Sequence, residues 1–182
     1  MNPANSKLQH KGALAAYIVK RGGYVIQRES NEALFKLENF HVTTGNALAT
    51  GAGALPFVKI IHAVGPVWDT GGPEKEILLR SAVSNSIELA GILGLKSLAL
   101  PAISSGAFGF PRDLCAQCFF EQVIAYAEKK AGQKLDKKHP FALKTVSDIR
   151  FTNIDDETVS HFINYFDKYS DRFTAVDVPY KE

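Results

Sequence analysis

Apolar residues recur along this chain with two periods, and the period sets each element. From Glu74 to Leu93, Ile77, Leu78, Ala82, Val83, Ile87 and Ala90 fall at the three-to-four spacing of one helix face, and Gly94 supplies a stop. "GALAAYIVKRGG" places Leu14, Ala15, Ile18 and Val19 at the same spacing before a glycine pair. Pro111 to Lys130 and "DDETVSHFINYF" read as two more helices. Asp113 lies in the first turn of the former, where the helix dipole favours a carboxylate. In the latter, Asp155 or Asp156 serves as the cap and Val159, Phe162, Ile163 and Phe166 face inward. "FHVTT" alternates as a strand does, placing His41 in it. "FVKIIHAVGPVW", "KSLALPAI" and "LKTVSDIRFTNI" read as strands with buried centres.

Strands alternating with helices predict a three-layer α/β/α sandwich around a mixed sheet. With 182 residues and no repeat or linker, residues 1–173 are expected to form one domain, followed by a loose tail over 174–182. "GQKLDKKHP" is a charged, solvated link.

Composition removes several classes of function. The 46% hydrophobic content is that of a soluble globular chain, and a net charge of +2 is too small for a general nucleic-acid surface. No apolar run approaches the ~18 residues of a membrane span, and "MNPANSKLQHKG" has no signal-peptide core. Direct nucleic-acid binding and membrane association are therefore not expected; a monomer in the cytoplasm or nucleus is. Cys115 and Cys118 form a C-x-x-C inside a helix-like apolar segment. They supply half a zinc site at most, and read as two core thiols with no metal or cofactor.

The candidate chemistry lies in loops. In open α/β folds ligands bind beyond the carboxyl ends of the strands, which puts "NPANSKLQHKGALA" and "LPAISSGAFGFP" on one rim. Ser104, Ser105, Gly106 and Gly109 interrupt apolar sequence between a strand and a helix. Small residues free successive backbone amides to form an anion nest, and a helix N-terminus behind them adds partial positive charge. Phe108 adds a flat apolar face. There is no G-x-x-x-x-G-K-[ST] and no G-x-G-x-x-G, and Ile103 stands where a G-x-S-x-G elbow around Ser105 needs glycine. The spacing alone leaves open a phosphate cradle or a tight structural turn.

Three segments in order, "NPANSKLQHKGALA", "TGAGALPFVKIIHAVGP" and "LPAISSGAFGFP", resemble the macrodomain family, whose modules bind ADP-ribose alone or attached to proteins. The resemblance runs from Asn2 to about Phe166. "VKRGG" and "HAVGPVW" look closest to the transferase-linked and histone-variant types. It implies that Asn5 bonds the distal ribose, the sugar that carries the protein linkage. Gly12, Ala13 and Leu14 would flank that ribose and the diphosphate. Ser104, Ser105, Gly106, Ala107, Phe108 and Gly109 would wrap the diphosphate from the other side, and Asn153 and Ile154 would line the adenine side.

The chain departs from the family pattern in three places. The strand usual before the N-x-A-N motif, with its adenine-binding carboxylate, is expected to be missing, because the motif follows Met1 directly. Lys11 and Ala13 replace glycines. The helix after them, "ALAAYIV", lacks the aspartate of one hydrolase class. The leading expectation is a module that binds ADP-ribose or mono-ADP-ribosylated protein. The alternatives are a hydrolase removing mono-ADP-ribose from acidic side chains, with His10 as the nearest titratable base, and a degenerate scaffold that binds nothing. No catalytic residue is assigned. Trp68 and the other histidines read as packing or surface.

Overall fold

The computed structural model describes residues 1–132 and 146–172. The charged link after Gly132, with His139, and the tail beyond Thr174 lie outside the described residues.

Among the described residues, five strands and five α-helices follow one another as β1 (Asn2–Ala4), α1 (Ala13–Gly22), α2 (Val25–Leu34), β2 (Ala47–Thr50), β3 (Ile60–Val64), α3 (Pro73–Ile92), β4 (Ser97–Leu100), α4 (Arg112–Gly132), β5 (Asp148–Phe151) and α5 (Asp156–Lys168). β1 pairs parallel with β3, and β2 pairs antiparallel with β3 on its other side. β4 and β5 form a parallel pair. The Met1 amine donates to the Ala99 carbonyl at 2.6 Å and links β4 to the β1 side of the sheet. This is the mixed α/β arrangement anticipated above.

The pleat of β3 sorts the core. Ile61 and Ala63 point into the main cluster beneath α3 and α4, with Leu79, Val83, Ile87, Leu100, Phe119 and Phe120. Ile60 and Val64 point the other way, into smaller clusters under α1 and α2 with Ile26, Ala4 and Leu34. Successive side chains on a strand alternate faces, so a strand buried on both sides is apolar throughout. His62, between Ile61 and Ala63 and fully buried, is the exception. α5 closes the far side through Phe162, which meets Phe119, Phe120 and Phe151. Its cap is Asp155, whose carboxylate accepts from the Thr158 amide at 2.9 Å.

Several sequence expectations need correction. "FHVTT" is not a strand: Phe40 takes φ +52°, which turns the chain, and the Val42 amide bonds to the Ser6 carbonyl. His41 therefore sits in an exposed loop, and the strand comes later, at Ala47–Thr50. Asn2–Ala4, read as part of an opening loop, is itself a strand. α2 was not anticipated; its buried stripe is Ile26, Ser30 and Leu34, and the serine breaks the apolar pattern. Ile77 and Ile163 were assigned to inward faces, but they are exposed, and Leu79 and Thr158 are buried in their stead. Cys115 and Cys118 are free, buried thiols, and burial raises both pKa values, that of Cys118 to about 11.

Candidate functional site

Strand pairing brings the two loops to one rim. Ala4 lies opposite Val64, so Asn5 and Gly65 leave the sheet side by side. Gly65 has no side chain because Ser104 occupies that space: a Cβ there would collide with Ser104 Oγ. The second loop (Pro101–Pro111) thus rests on the end of β3, beside the start of the first (Asn5–Gly12). It is held there by the Trp68 amide on the Phe108 carbonyl at 2.8 Å and the Phe110 amide on the Ser104 carbonyl at 2.9 Å. Asn153, at the end of β5, accepts from the Ala102 amide at 3.0 Å. Its side chain therefore fixes the root of the second loop. Ile154, next to it, is fully exposed.

The serine hydroxyls are turned away from solvent. Ser105 Oγ donates to the Ala102 carbonyl at 2.8 Å. Ser104, at φ +68°, buries its Oγ against Gly65. The main chain is arranged in the opposite sense. Among the described residues, the amides of Ser104, Gly106, Ala107 and Phe108 donate to no protein acceptor. The same holds for Gly12, Ala13 and Leu14 at the start of α1, whose N-cap Gly12 offers no side-chain oxygen. Ala13 sits at φ +34°, a region costly for a residue with a Cβ. Both loops thus carry backbone donors without a protein acceptor, and Phe108 of the second loop is half-buried.

Asn5 shapes the first loop. Its Oδ1 accepts from the Gln9 amide at 3.0 Å, while its Nδ2 reaches the Gln9 carbonyl only at 3.5 Å. Gln27 of α2 braces the same loop, donating to the Leu8 carbonyl at 2.9 Å and accepting from the His10 amide at 3.2 Å.

Beneath the loop lies a buried polar layer that the sequence reading missed. Asn2 Nδ2 donates to His62 Nδ1 at 2.9 Å and to His10 Nδ1 at 3.3 Å. Ser30 Oγ gives its proton to the Ile26 carbonyl, so it accepts from His10 Nε2 at 2.9 Å. Thr50 Oγ1 likewise donates to the Gly51 carbonyl and accepts from His62 Nε2 at 2.8 Å. Both imidazoles are thus neutral Nε2–H tautomers, stacked with centroids 4.7 Å apart. A proton on either Nδ1 would face the Asn2 amide protons. Burial, then proximity to His10, holds the His62 pKa down to about 3, and burial lowers that of His10. The available signal was His62 itself, a polar residue at the centre of an otherwise apolar strand.

Trp68 packs edge-on against Phe110 at 4.6 Å, in keeping with a packing role. Among the described residues no group of three or more His, Cys, Asp or Glu could hold a metal ion, and no helix is long and apolar enough to cross a membrane. Two open hollows lie at β2, one of about 440 Å³ against the segment that joins α2 to it and one of about 520 Å³ against α2 itself, and no residue of the rim loops lines them.

Comparison with known proteins gives a consistent assignment. A macro domain-containing protein of Caldanaerobacter subterraneus is 34% identical over 168 residues, covering 92% of this chain and 89% of its own length. The mouse protein mono-ADP-ribosyltransferase PARP9 is 39% identical over 133 residues, 71% of this chain but only 15% of the mouse protein. Among solved structures, an Oceanobacillus iheyensis macrodomain mutant with ADPR superposes with a TM-score of 0.79 at 23% identity, covering 93% of this chain and 84% of that one. A Trypanosoma brucei macrodomain in complex with ADP-ribose gives 0.71 at 22%, covering 90% and 61%. At such identities the superpositions establish a shared fold. The Macro domain family model matches residues 1–119, and the chain belongs to the macro domain family.

Proposed function

We propose that this chain binds ADP-ribose, free or carried on a protein as a single unit, in the rim between the two loops. The observation that carries the reading is the set of unengaged amides at Ser104, Gly106, Ala107 and Phe108, in a loop seated beside the one that leads into the uncapped N-terminus of α1. Backbone amides grip a diphosphate without the cost of burying a counter-charge. Three or four hydrogen bonds to a charged acceptor, at about 1.5–3 kcal/mol each, supply much of the ~8 kcal/mol of micromolar affinity. The solved relatives titled with ADPR and ADP-ribose support the same ligand class.

In this reading the diphosphate lies against residues 104–109, with their main chain as the grip because the serine hydroxyls point inward. The Asn5 carboxamide, whose Nδ2 makes only a long bond within the loop, donates to the distal ribose. Gly12 to Leu14 and Phe108 enclose that sugar. Ile154 offers apolar surface on the adenine side, with Asn153 holding the loop beside it.

Binding is favoured over hydrolysis. Cleavage of an ADP-ribosyl ester needs a positioned, activated water or a general base at the distal ribose; Asn5 can orient a water but accepts no proton. His10 has both ring nitrogens committed to Asn2 and Ser30 and lies buried, and the first turn of α1 carries no carboxylate. Calorimetry tests the reading: ADP-ribose should titrate with a micromolar Kd and AMP more weakly. Absence of heat from both up to millimolar concentration would overturn it.

A further inference from the structure

The basic residues of this chain are unevenly distributed. Residues 1–28 contain Lys7, Lys11, Lys20, Arg21 and Arg28 and no Asp or Glu, so a chain of net charge +2 is net negative over the remainder. Four of the five surround the start and the exposed face of α1. Lys7, Lys11, Lys20 and Arg21 are solvent-exposed, and among the described residues none of them joins an ion pair. Arg21 lies over the Tyr17 ring at 5.2 Å and donates to its hydroxyl at 2.7 Å. Leu14 and Tyr17, 39% and 52% exposed, share that helix face at i and i+3, with Arg21 completing it at i+7. Exposed cations with no ion pair among the described residues thus stand at both ends of α1, Lys11 before it and Lys20 and Arg21 in its last turn, and Leu14 and Tyr17 join them into one half-apolar stripe.

We propose that this stripe docks an acidic polypeptide segment flanking the ADP-ribosylated residue of the partner protein. The inference rests on the binding reading above, in which the distal ribose, and with it the protein linkage, emerges beside Gly12 to Leu14. A ten-residue helix is about 15 Å long, a span that about five extended residues cover. Carboxylates within roughly five residues of the modified side chain therefore reach Lys20 and Arg21, while Leu14 and Tyr17 meet the apolar parts of the same segment. In that reading the linkage leaves the site beside this face, so the polypeptide that carries it is the chain that passes over the stripe. The charges are exposed, so the gain is screened over a Debye length of about 8–10 Å. It adds to affinity and association rate without replacing the grip on the diphosphate.

The test uses the full chain and two synthetic peptides, each carrying one ADP-ribosyl group on a hydrolysis-stable linkage. One has four Asp or Glu beside the modified residue and the other has four Asn or Gln. The acidic peptide should bind about 3- to 10-fold tighter at low salt. That advantage should vanish at 0.5 M salt and in the double variant Lys20→Gln, Arg21→Gln, while the Kd for free ADP-ribose stays unchanged. Equal affinity for the two peptides, with ADP-ribose still bound, overturns the docking proposal and leaves the binding reading intact. Loss of ADP-ribose binding in the unmodified chain removes both. A gain seen with an ADP-ribose dimer and abolished in the double variant, without any gain for the acidic peptide, also overturns the proposal and assigns the stripe to polymer.

Discussion

Asn2 Nδ2 lies 2.9 Å from His62 Nδ1, and its other proton points at His10 Nδ1. One strand residue therefore satisfies both histidines and ties the first rim loop to the centre of the sheet. Replacing it by alanine leaves two buried ring acceptors without donors, at about 1–3 kcal/mol each. Asn2→Ala should lose about 2–4 kcal/mol of unfolding free energy, read from urea midpoints. A change below about 0.5 kcal/mol would mean the network contributes nothing to stability.

The same layer sets a pH dependence. Both histidines have folded pKa values below the ordinary 6.5, so the unfolded chain takes up protons that the folded chain refuses. The stability contributed by the neutral rings is complete above about pH 6.5. It is lost as pH falls, for His62 down to its folded value of about 3. For His62 the slope approaches about 1.4 kcal/mol per pH unit, and His10 adds to it in the same direction. Urea titrations between pH 7.5 and 5.5, where surface carboxylates stay ionised, should show midpoints falling with pH. A flat profile would contradict the buried neutral tautomers.

Gly106 has open space around the position of a Cβ and no left-handed φ, so the fold should tolerate a side chain there. Gly106→Glu should leave the melting temperature within about 2 °C and abolish ADP-ribose binding, because a carboxylate would displace and repel the diphosphate. Retained affinity in a folded variant would remove the second loop from the site.

Asn5→Ala should weaken ADP-ribose by about tenfold or more, the worth of a hydrogen bond to a ribose hydroxyl with some loss of loop order. AMP, which has no distal ribose, should be affected much less. Parallel loss for both ligands in calorimetry would make Asn5 purely a loop-shaping residue, through its bond to the Gln9 amide.

Ala13 holds φ +34° at the point where the first loop becomes α1. Glycine adopts that conformation without the Cβ penalty, which outweighs its greater entropy in the unfolded chain. Ala13→Gly should therefore stabilise the protein by about 0.5–1 kcal/mol, against the loss expected for the same change inside an ordinary helix. Thermal unfolding checks the sign.

How far the chain could be read follows from the range of each signal. Helices α1, α3, α4 and α5, strands β3 to β5, the Asp155 cap and the serine-glycine loop all have signatures within about twenty residues, and each lies where local periodicity puts it. Two errors share one cause: Ile77 and Ile163 are apolar residues beside a true core face, and only neighbouring elements decide which side of a helix is covered. Phe40 and Val42 alternate like strand residues, yet a positive φ at Phe40 and the bond from Val42 to Ser6 hold them in a loop.

The sequence by itself determined helices α1, α3, α4 and α5, strands β3 to β5, the two loops and the small residues that free their backbone. Tertiary structure decided what those loops present: serine hydroxyls turned in, amides left free, and Asn153 spent on the root of the second loop. It also brought Asn2, His10 and His62 together across as many as 60 positions. Hydrogen bonds of that span leave no periodic trace, because each partner obeys only its own strand or loop until the sheet has formed.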